Sequence, residues 1–210
     1  MIRIIAIERE YGAGGSVIAE KLAEHLGWKL MDRQITEEIA RMAKVTPATV
    51  EQREGHLDPL FYRLGKVFWR GSYERSLPVD EHEAFDADRM VAIVQQIVEQ
   101  AAATGNCVIV GRGSPYFLRD RADTLRVFLF APREFKFRFV LTHTKNAAEA
   151  NELLDSIDRD RKDFLKHYFG VEWPHRPLYH TMLNTALGND LVLATILHLM
   201  DALNKKETSL

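Results

Sequence analysis

The strongest constraint on the fold is a run of five small residues near the amino terminus, Gly12-Ala13-Gly14-Gly15-Ser16. Before it, Ile2 to Ile7 is almost continuously apolar and largely β-branched, the pattern of a strand buried on both faces. After it, Val17, Ile18, Ala19, Leu22, Ala23 and Leu26 alternate with Glu20, Lys21, Glu24 and His25 at amphipathic-helix spacing, and Gly27 closes the run. Trp28 to Met31 reads as a short second strand and Gln34 to Met42 as a further helix. An opening of strand, glycine turn, helix, strand and helix commits a chain to a parallel sheet covered by helices.

The remaining pattern extends that plan. Residues from about 45 to 85 carry Pro47, Gly55, Pro59, Gly65, Gly71 and Pro78 among Phe61, Tyr62, Phe68, Trp69 and Tyr73. They read as a helical insertion in the core, whose aromatics pack the insertion, stack on a base or form an oligomer interface. Helical periodicity returns from Phe85 to Ala103, and Gly105 ends it. Cys107 to Val110 and Thr124 to Phe130 read as buried strands, and Pro132 opens a helix around Glu134 to Leu141. A long polar helix is expected from about Ala147 to His167. A short last strand follows over Tyr179 to Asn184, then a helix over Asp190 to Leu203 and a frayed end from Lys205. One domain spanning 1–210 accommodates all of it.

Glycines let a backbone bend sharply and turn successive N–H groups toward an anion. The helix that follows adds the partial positive charge of its N-terminus. Gly12, Ala13, Gly14, Gly15 and Ser16 therefore form a candidate phosphate cradle, with the Ser16 hydroxyl a candidate ligand for Mg²⁺; the bland alternative is a tight turn that needs glycine for geometry alone. The spacing departs from the dinucleotide pattern Gly-x-Gly-x-x-Gly. Against the phosphate-loop pattern Gly-x-x-x-x-Gly-Lys-Ser/Thr, Gly14 and Ser16 align, but Gly15 falls on the lysine and Arg9 on the first glycine. Lys21 lies about 7 Å further along the helix axis and is a poor substitute. Arginines from other segments are better placed to supply the missing charge.

Composition bounds the partners. The 210 residues hold 18 Arg and 10 Lys against 30 acids, a net charge of -2, which leaves no broad basic face for nucleic acid. No apolar run is long enough to cross a membrane. One cysteine, Cys107, excludes an internal disulfide and reads as a small buried thiol. A cytoplasmic protein follows as the simplest expectation, and the eight histidines show no metal-ligand spacing.

Ile7-Glu8-Arg9-Glu10-Tyr11-Gly12-Ala13-Gly14-Gly15-Ser16 with Leu30-Met31-Asp32-Arg33 resembles the start of the cytidylate kinase-like family, a divergent branch of the P-loop nucleoside monophosphate kinases. Gly111-Arg112-Gly113, Ile157-Asp158-Arg159-Asp160-Arg161, Tyr168-Phe169-Gly170, and Tyr179 with Asn184-Thr185 extend the likeness to near residue 185. The resemblance implies a three-layer α/β P-loop fold on a five-stranded parallel sheet, with a lid near 145–175. It implies an ATP donor with Mg²⁺, Arg112 on an acceptor phosphate, and Asp32-Arg33 at the acceptor or at a metal-bound water; an Asp32 helix N-cap is the competing role. In cytidylate kinases proper an aspartate stands where this chain has Gly113. Arg159 and Arg161 resemble lid arginines, yet two residues apart on one helix they face different sides, so at most one reaches a phosphate. Asp155 with Arg159 and Asp158 with Lys162 are expected i,i+4 ion pairs, Arg133 and Arg138 weaker phosphate candidates, and Glu8 a further metal candidate. The expected activity is phosphoryl transfer to a small phosphorylated acceptor, with CMP a candidate. A nucleotide- or anion-binding sensor that has lost transfer chemistry is the alternative, and a homo-oligomer is allowed.

Overall fold

The computed structural model describes residues 1–32 and 87–208. The expected helix over 34–42, the insertion over 45–85 with its aromatics, and Arg33 lie outside the described residues. Five strands, β1 (Ile4–Arg9), β2 (Lys29–Met31), β3 (Cys107–Val110), β4 (Thr124–Phe130) and β5 (Thr181–Asn184), form one sheet in the order β2-β3-β1-β4-β5. Every neighbouring pair is parallel, with Ile7 opposite both Val110 and Val127. The helices are α1 (Gly15–Leu26), α2 (Ala87–Thr104), α3 (Ser114–Phe117), α4 (Arg133–Leu141), α5 (Ala147–Phe169) and α6 (Asn189–Thr208). The carboxyl-terminal helix thus reaches Thr208, beyond the expected frayed end at Lys205.

Alternation along β1 assigns its side chains to two layers. Ile5 and Ile7 meet Ile18 and Leu22 of α1 and Val192 and Ile196 of α6. Ile4 and Ala6 point the other way, toward Val94 and Ile97 of α2, Phe164 of α5 and Tyr116 of α3. Two apolar layers sandwich a sheet, which is why the central strands read as continuous apolar runs. Phe128 on β4 is fully buried and meets the rings of Trp173 and Tyr179 at centroid distances of 5.5 and 5.1 Å.

One boundary carries functional weight. The expected strand stops at Ile7, before the charges begin, whereas β1 continues through Glu8 and Arg9, paired with Phe128 and Leu129. Both charged residues are buried, at 4% and 6% exposure. By the same alternation Arg9 belongs to the α1 side and Glu8 to the side of Tyr116 and Tyr179. The last strand begins at Thr181 rather than Tyr179, because a short 3₁₀ turn, Arg176–Leu178, precedes it.

Cys107 opens β3 in the α2 layer, and burial pushes its thiol up to about 11. The thiolate is the reacting form. Folded protein at pH 8 should therefore leave an aromatic disulfide reagent almost unreacted, and denaturant should release one thiol per chain. Rapid stoichiometric labelling without unfolding would contradict this packing.

Candidate phosphate-binding site

The glycine turn joins β1 to α1 at the carboxyl edge of the sheet, where ligands bind in open α/β folds. Gly14 is left-handed, at φ 70°, and α1 begins at Gly15. The N–H groups of the first helical turn have no partner within the helix and face outward. Ala13 is fully buried, while Ser16 is partly exposed. The expected cradle is therefore present as a turn with its donors at a helix start.

A second turn faces it. Residues Gly111, Arg112 and Gly113 follow β3 with three consecutive left-handed φ values of 66, 62 and 69°. For Arg112 that conformation costs about 1–2 kcal/mol, a strain that surrounding structure must hold in place. The result is an arginine turned inward, only 6% exposed. Burial is the main influence on its guanidinium and pushes it down to about 9; Asp32 opposes that shift, while Arg9 and Arg161 add to it. Burial also lowers Arg9, with Arg161 acting the same way and Asp32, Glu8 and Asp158 opposing. Three guanidinium groups from β1, the β3 turn and α5 thus share one buried neighbourhood with three carboxylates.

The two expected lid arginines separate as the helical geometry requires. Arg161 is 4% exposed and donates from Nη1 to the Arg9 carbonyl at 2.8 Å and to Asp158 Oδ1 at 3.1 Å. Arg159 is exposed on the opposite side of α5. The expected i,i+4 pairs give way to contacts with α4 and to an i,i+3 pair within α5. Asp155 meets Arg133 of α4 at 2.5 Å, while Asp158 takes Arg161 and, at 3.6 Å, Lys136 of α4. Asp158 also accepts from Tyr11 N–H at 2.8 Å, so α5 is fastened to the limb of the glycine turn. Burial pushes the Asp158 carboxyl up, and Arg161, the Tyr11 N–H and Lys136 pull it back.

Lys136 is a site residue that the sequence pattern did not single out. Its Nζ reaches Glu10 Oε2 at 2.7 Å, and its carbonyl and Val140 crowd Gly12, where a Cβ would come within 2.8 Å of Val140 Cγ2. No spacing rule links residue 136 to a turn at 12; only the fold brings α4 across the turn. Lys21 pairs with Asp190 at an exposed position, and Arg133 and Arg138 are exposed, so none of these three faces the turn.

Asp32 follows β2 and is 5% exposed, and its Oδ1 has no hydrogen-bond partner among the described residues. Glu8 Oε1 accepts from the Arg9 N–H at 3.1 Å and lies 3.9 Å from Arg9 Nη1. No cluster of three histidine, cysteine or acidic residues able to hold a metal exists among the described residues. Mg²⁺ that arrives with phosphates needs only one or two protein oxygens, however, and the Ser16 hydroxyl and open Asp32 oxygen fit that need.

A family model described as the cytidylate kinase-like family matches residues 4–187. The chain belongs to that family. Its fold is shared with a solved, uncharacterized protein from Eubacterium ventriosum, at 20% identity over 96% of this chain and 99% of that one, with a TM-score of 0.68. A shikimate kinase from Acinetobacter baumannii solved with shikimate aligns at 17% identity over 96% and 94% of the two chains, TM-score 0.54. A gluconokinase from Sinorhizobium meliloti aligns at 15% over 97% and 96%, TM-score 0.55. A comparison with curated proteins gave no match. Such low identities establish the P-loop kinase fold and leave the substrate to be argued from the site.

The contact between the two turns is testable. A Cβ on Gly111 would collide with Arg9 Nη1, whereas Gly170, at nearly the same φ of 67°, has nothing within 4 Å. Gly170→Ala should cost about 1–2 kcal/mol, from backbone strain alone. Gly111→Ala should cost clearly more, because it also displaces a buried guanidinium. Equal losses in denaturant melts would show that the Arg9 contact does not constrain this turn.

Proposed function

We propose that this protein transfers a phosphoryl group from a nucleoside triphosphate, ATP the first candidate, to a small phosphorylated acceptor, with CMP the first to test. The observation that supports the reading is the convergence of Arg9, Arg112 and Arg161, from three separate segments, around the end of β1, where Arg9 packs against the glycine turn. Phosphoryl transfer asks a protein mainly to position two substrates and to neutralise charge on the moving group. Planar guanidinium forks suit both tasks.

In this reading Gly12 to Ser16 cradle the donor phosphates. Arg112, held in its left-handed turn, fixes the acceptor phosphate. Arg161, already tied to the Arg9 carbonyl, steadies the transferring group, and Arg159 takes no part because it faces away. Asp32 orients the acceptor or a water, with Arg33 its partner in acceptor contact. Mg²⁺ held by Ser16 and Asp32 would supply charge neutralisation on the donor. The segment near 145–175 acts as the lid, and α4 belongs with it through the Lys136 contact to the turn. Gly113 lies within 3.5 Å, measured from an added Cβ, of Phe117, Phe164 and Phe169. An aspartate there would face three aromatic rings, so the acceptor is selected through its phosphate more than through an acid at this position.

A panel of nucleoside and sugar monophosphates with ATP should give ADP production above background for at least one acceptor. Arg112→Ala should lower kcat/KM for that acceptor by about one to two orders of magnitude. The absence of the loop lysine and of an acid after β3 favours a second reading, a nucleotide sensor without turnover. Thermal shifts with ATP, ADP, CMP and phosphate separate the two: stabilisation with no turnover on any acceptor would support the sensor and sink the kinase.

A further inference from the structure

The two unusual residues of the glycine turn account for each other. In the pattern Gly-x-x-x-x-Gly-Lys-Ser, Arg9 occupies the first glycine and Gly15 the lysine. A Cβ added to Gly15 would lie 2.9 Å from Arg9 Cγ, 3.1 Å from Arg9 Cβ and 3.6 Å from Arg9 Cδ. The arginine stem therefore fills the space that any side chain at 15 would need. A lysine at 15 and an arginine at 9 exclude each other.

The direction of the stem follows from the strand. Residue 9 continues the Ile5–Ile7 face of β1, the face that packs on α1, so its side chain leaves the sheet beneath the helix start. The guanidinium then reaches Gly111, the first residue after β3, whose missing side chain makes room for Nη1. It lies between the glycine turn and the turn that carries Arg112, with Arg161 fastened to its own backbone carbonyl.

We propose that Arg9 and Gly15 have exchanged the roles of the first and seventh loop positions, so that the cation serving the bound phosphates comes from the end of β1 instead of from the first turn of α1. The assignment rests on the phosphate-binding part of the reading above, not on transfer itself. Its ligand class is a polyphosphate, the tail of a nucleoside triphosphate. A helix-borne lysine swings on a flexible chain, whereas Arg9 is packed against Gly15 and Gly111 and offers a fork already oriented. Burial and the neighbouring Arg161 lower this guanidinium, and Asp32, Glu8 and Asp158 oppose that shift.

The test is calorimetric titration of the full chain with inorganic tripolyphosphate, beside ATP. Wild-type protein should bind both. Arg9→Met should weaken tripolyphosphate about tenfold or more. The exchange variant Arg9→Gly/Gly15→Lys, which rebuilds the common pattern, should bind within about threefold of wild type. Arg9→Gln, still hydrogen-bonding but neutral, replaces the methionine variant if that one does not fold. A folded neutral variant with wild-type affinity overturns the role of Arg9, as does a folded exchange variant that fails to bind. Wild-type protein that binds tripolyphosphate yet turns over no acceptor removes the transfer reading and leaves this one standing. Wild-type protein that binds neither tripolyphosphate nor ATP overturns both.

Discussion

The buried end of β1 is the constraint on which the rest of the site depends. A strand that finishes in Glu8-Arg9 and keeps both in the sheet must provide for two desolvated charges. Period-two alternation sends them to opposite layers. On one side Glu8 faces Tyr116 and Tyr179; burial chiefly, with the carboxylate adding to it, pushes Tyr116 up to about 12 and Tyr179 further. On the other, Arg9 demands a glycine at 15 and another at 111, so two separate turns are tailored to one side chain. The glycines of the first turn look like a phosphate motif from the sequence, yet Gly15 answers first to an arginine, as does Gly111 of the second turn.

The same strand end also fastens the helical layer. Arg161 holds the Arg9 carbonyl, Asp158 holds the Tyr11 N–H, and Lys136 holds Glu10, so three consecutive residues of the β1–α1 limb are each tied to α4 or α5. A smaller apolar cluster of Val140, Ala150 and Leu154 with Tyr11 backs these polar contacts. Movement of α4 and α5 against the sheet would have to break charged, partly buried bonds, each worth about 1.5–3 kcal/mol. The region expected to be a lid is thus coupled directly to the loop it would cover. Displacing it alters the loop's geometry and does not merely uncover it.

Much of the fold was legible because burial leaves a pattern. The four-residue run at 107–110 and the seven at 124–130 became strands with unchanged limits, the helix at 15–26 follows from amphipathic spacing closed by Gly27, and the expected polar helix from about Ala147 to His167 runs on to Phe169. The family assignment, read from scattered short motifs, agrees with the match over residues 4–187. The separation of Arg159 from Arg161 was also readable, since helical geometry allows one of them to face inward. What escaped was charge inside a strand. Hydropathy ends β1 at Ile7, because a burial rule has no place for a glutamate and an arginine that are paid for by partners 100 residues away. Lys136 and the real partners of Asp155 and Asp158 escaped for the same reason. Local spacing proposed i,i+4 pairs, whereas Asp155 takes Arg133 of α4, and Asp158 takes Arg161 one turn on in its own helix together with Lys136 of α4.

Charge balance explains why so cationic a site can exist in a chain of net charge -2. Arg9, Arg112 and Arg161 are set against Glu8, Asp32 and Asp158, so among the described residues the three cations and three carboxylates of the cluster cancel. Unbalanced, three buried guanidinium groups would carry a desolvation cost too large for a domain of ordinary stability. In the proposed reading, a phosphate would therefore not be drawn in by simple attraction to a positive hole. It would compete with the resident carboxylates for the same forks, and Asp32, whose Oδ1 has no hydrogen-bond partner among the described residues, would lose least by turning away. Such an exchange trades an internal ion pair for an external one at nearly constant local charge. Selectivity for phosphate would then come from geometry: a tetrahedral phosphate can span guanidinium groups set on three different elements, which a planar carboxylate cannot do as well.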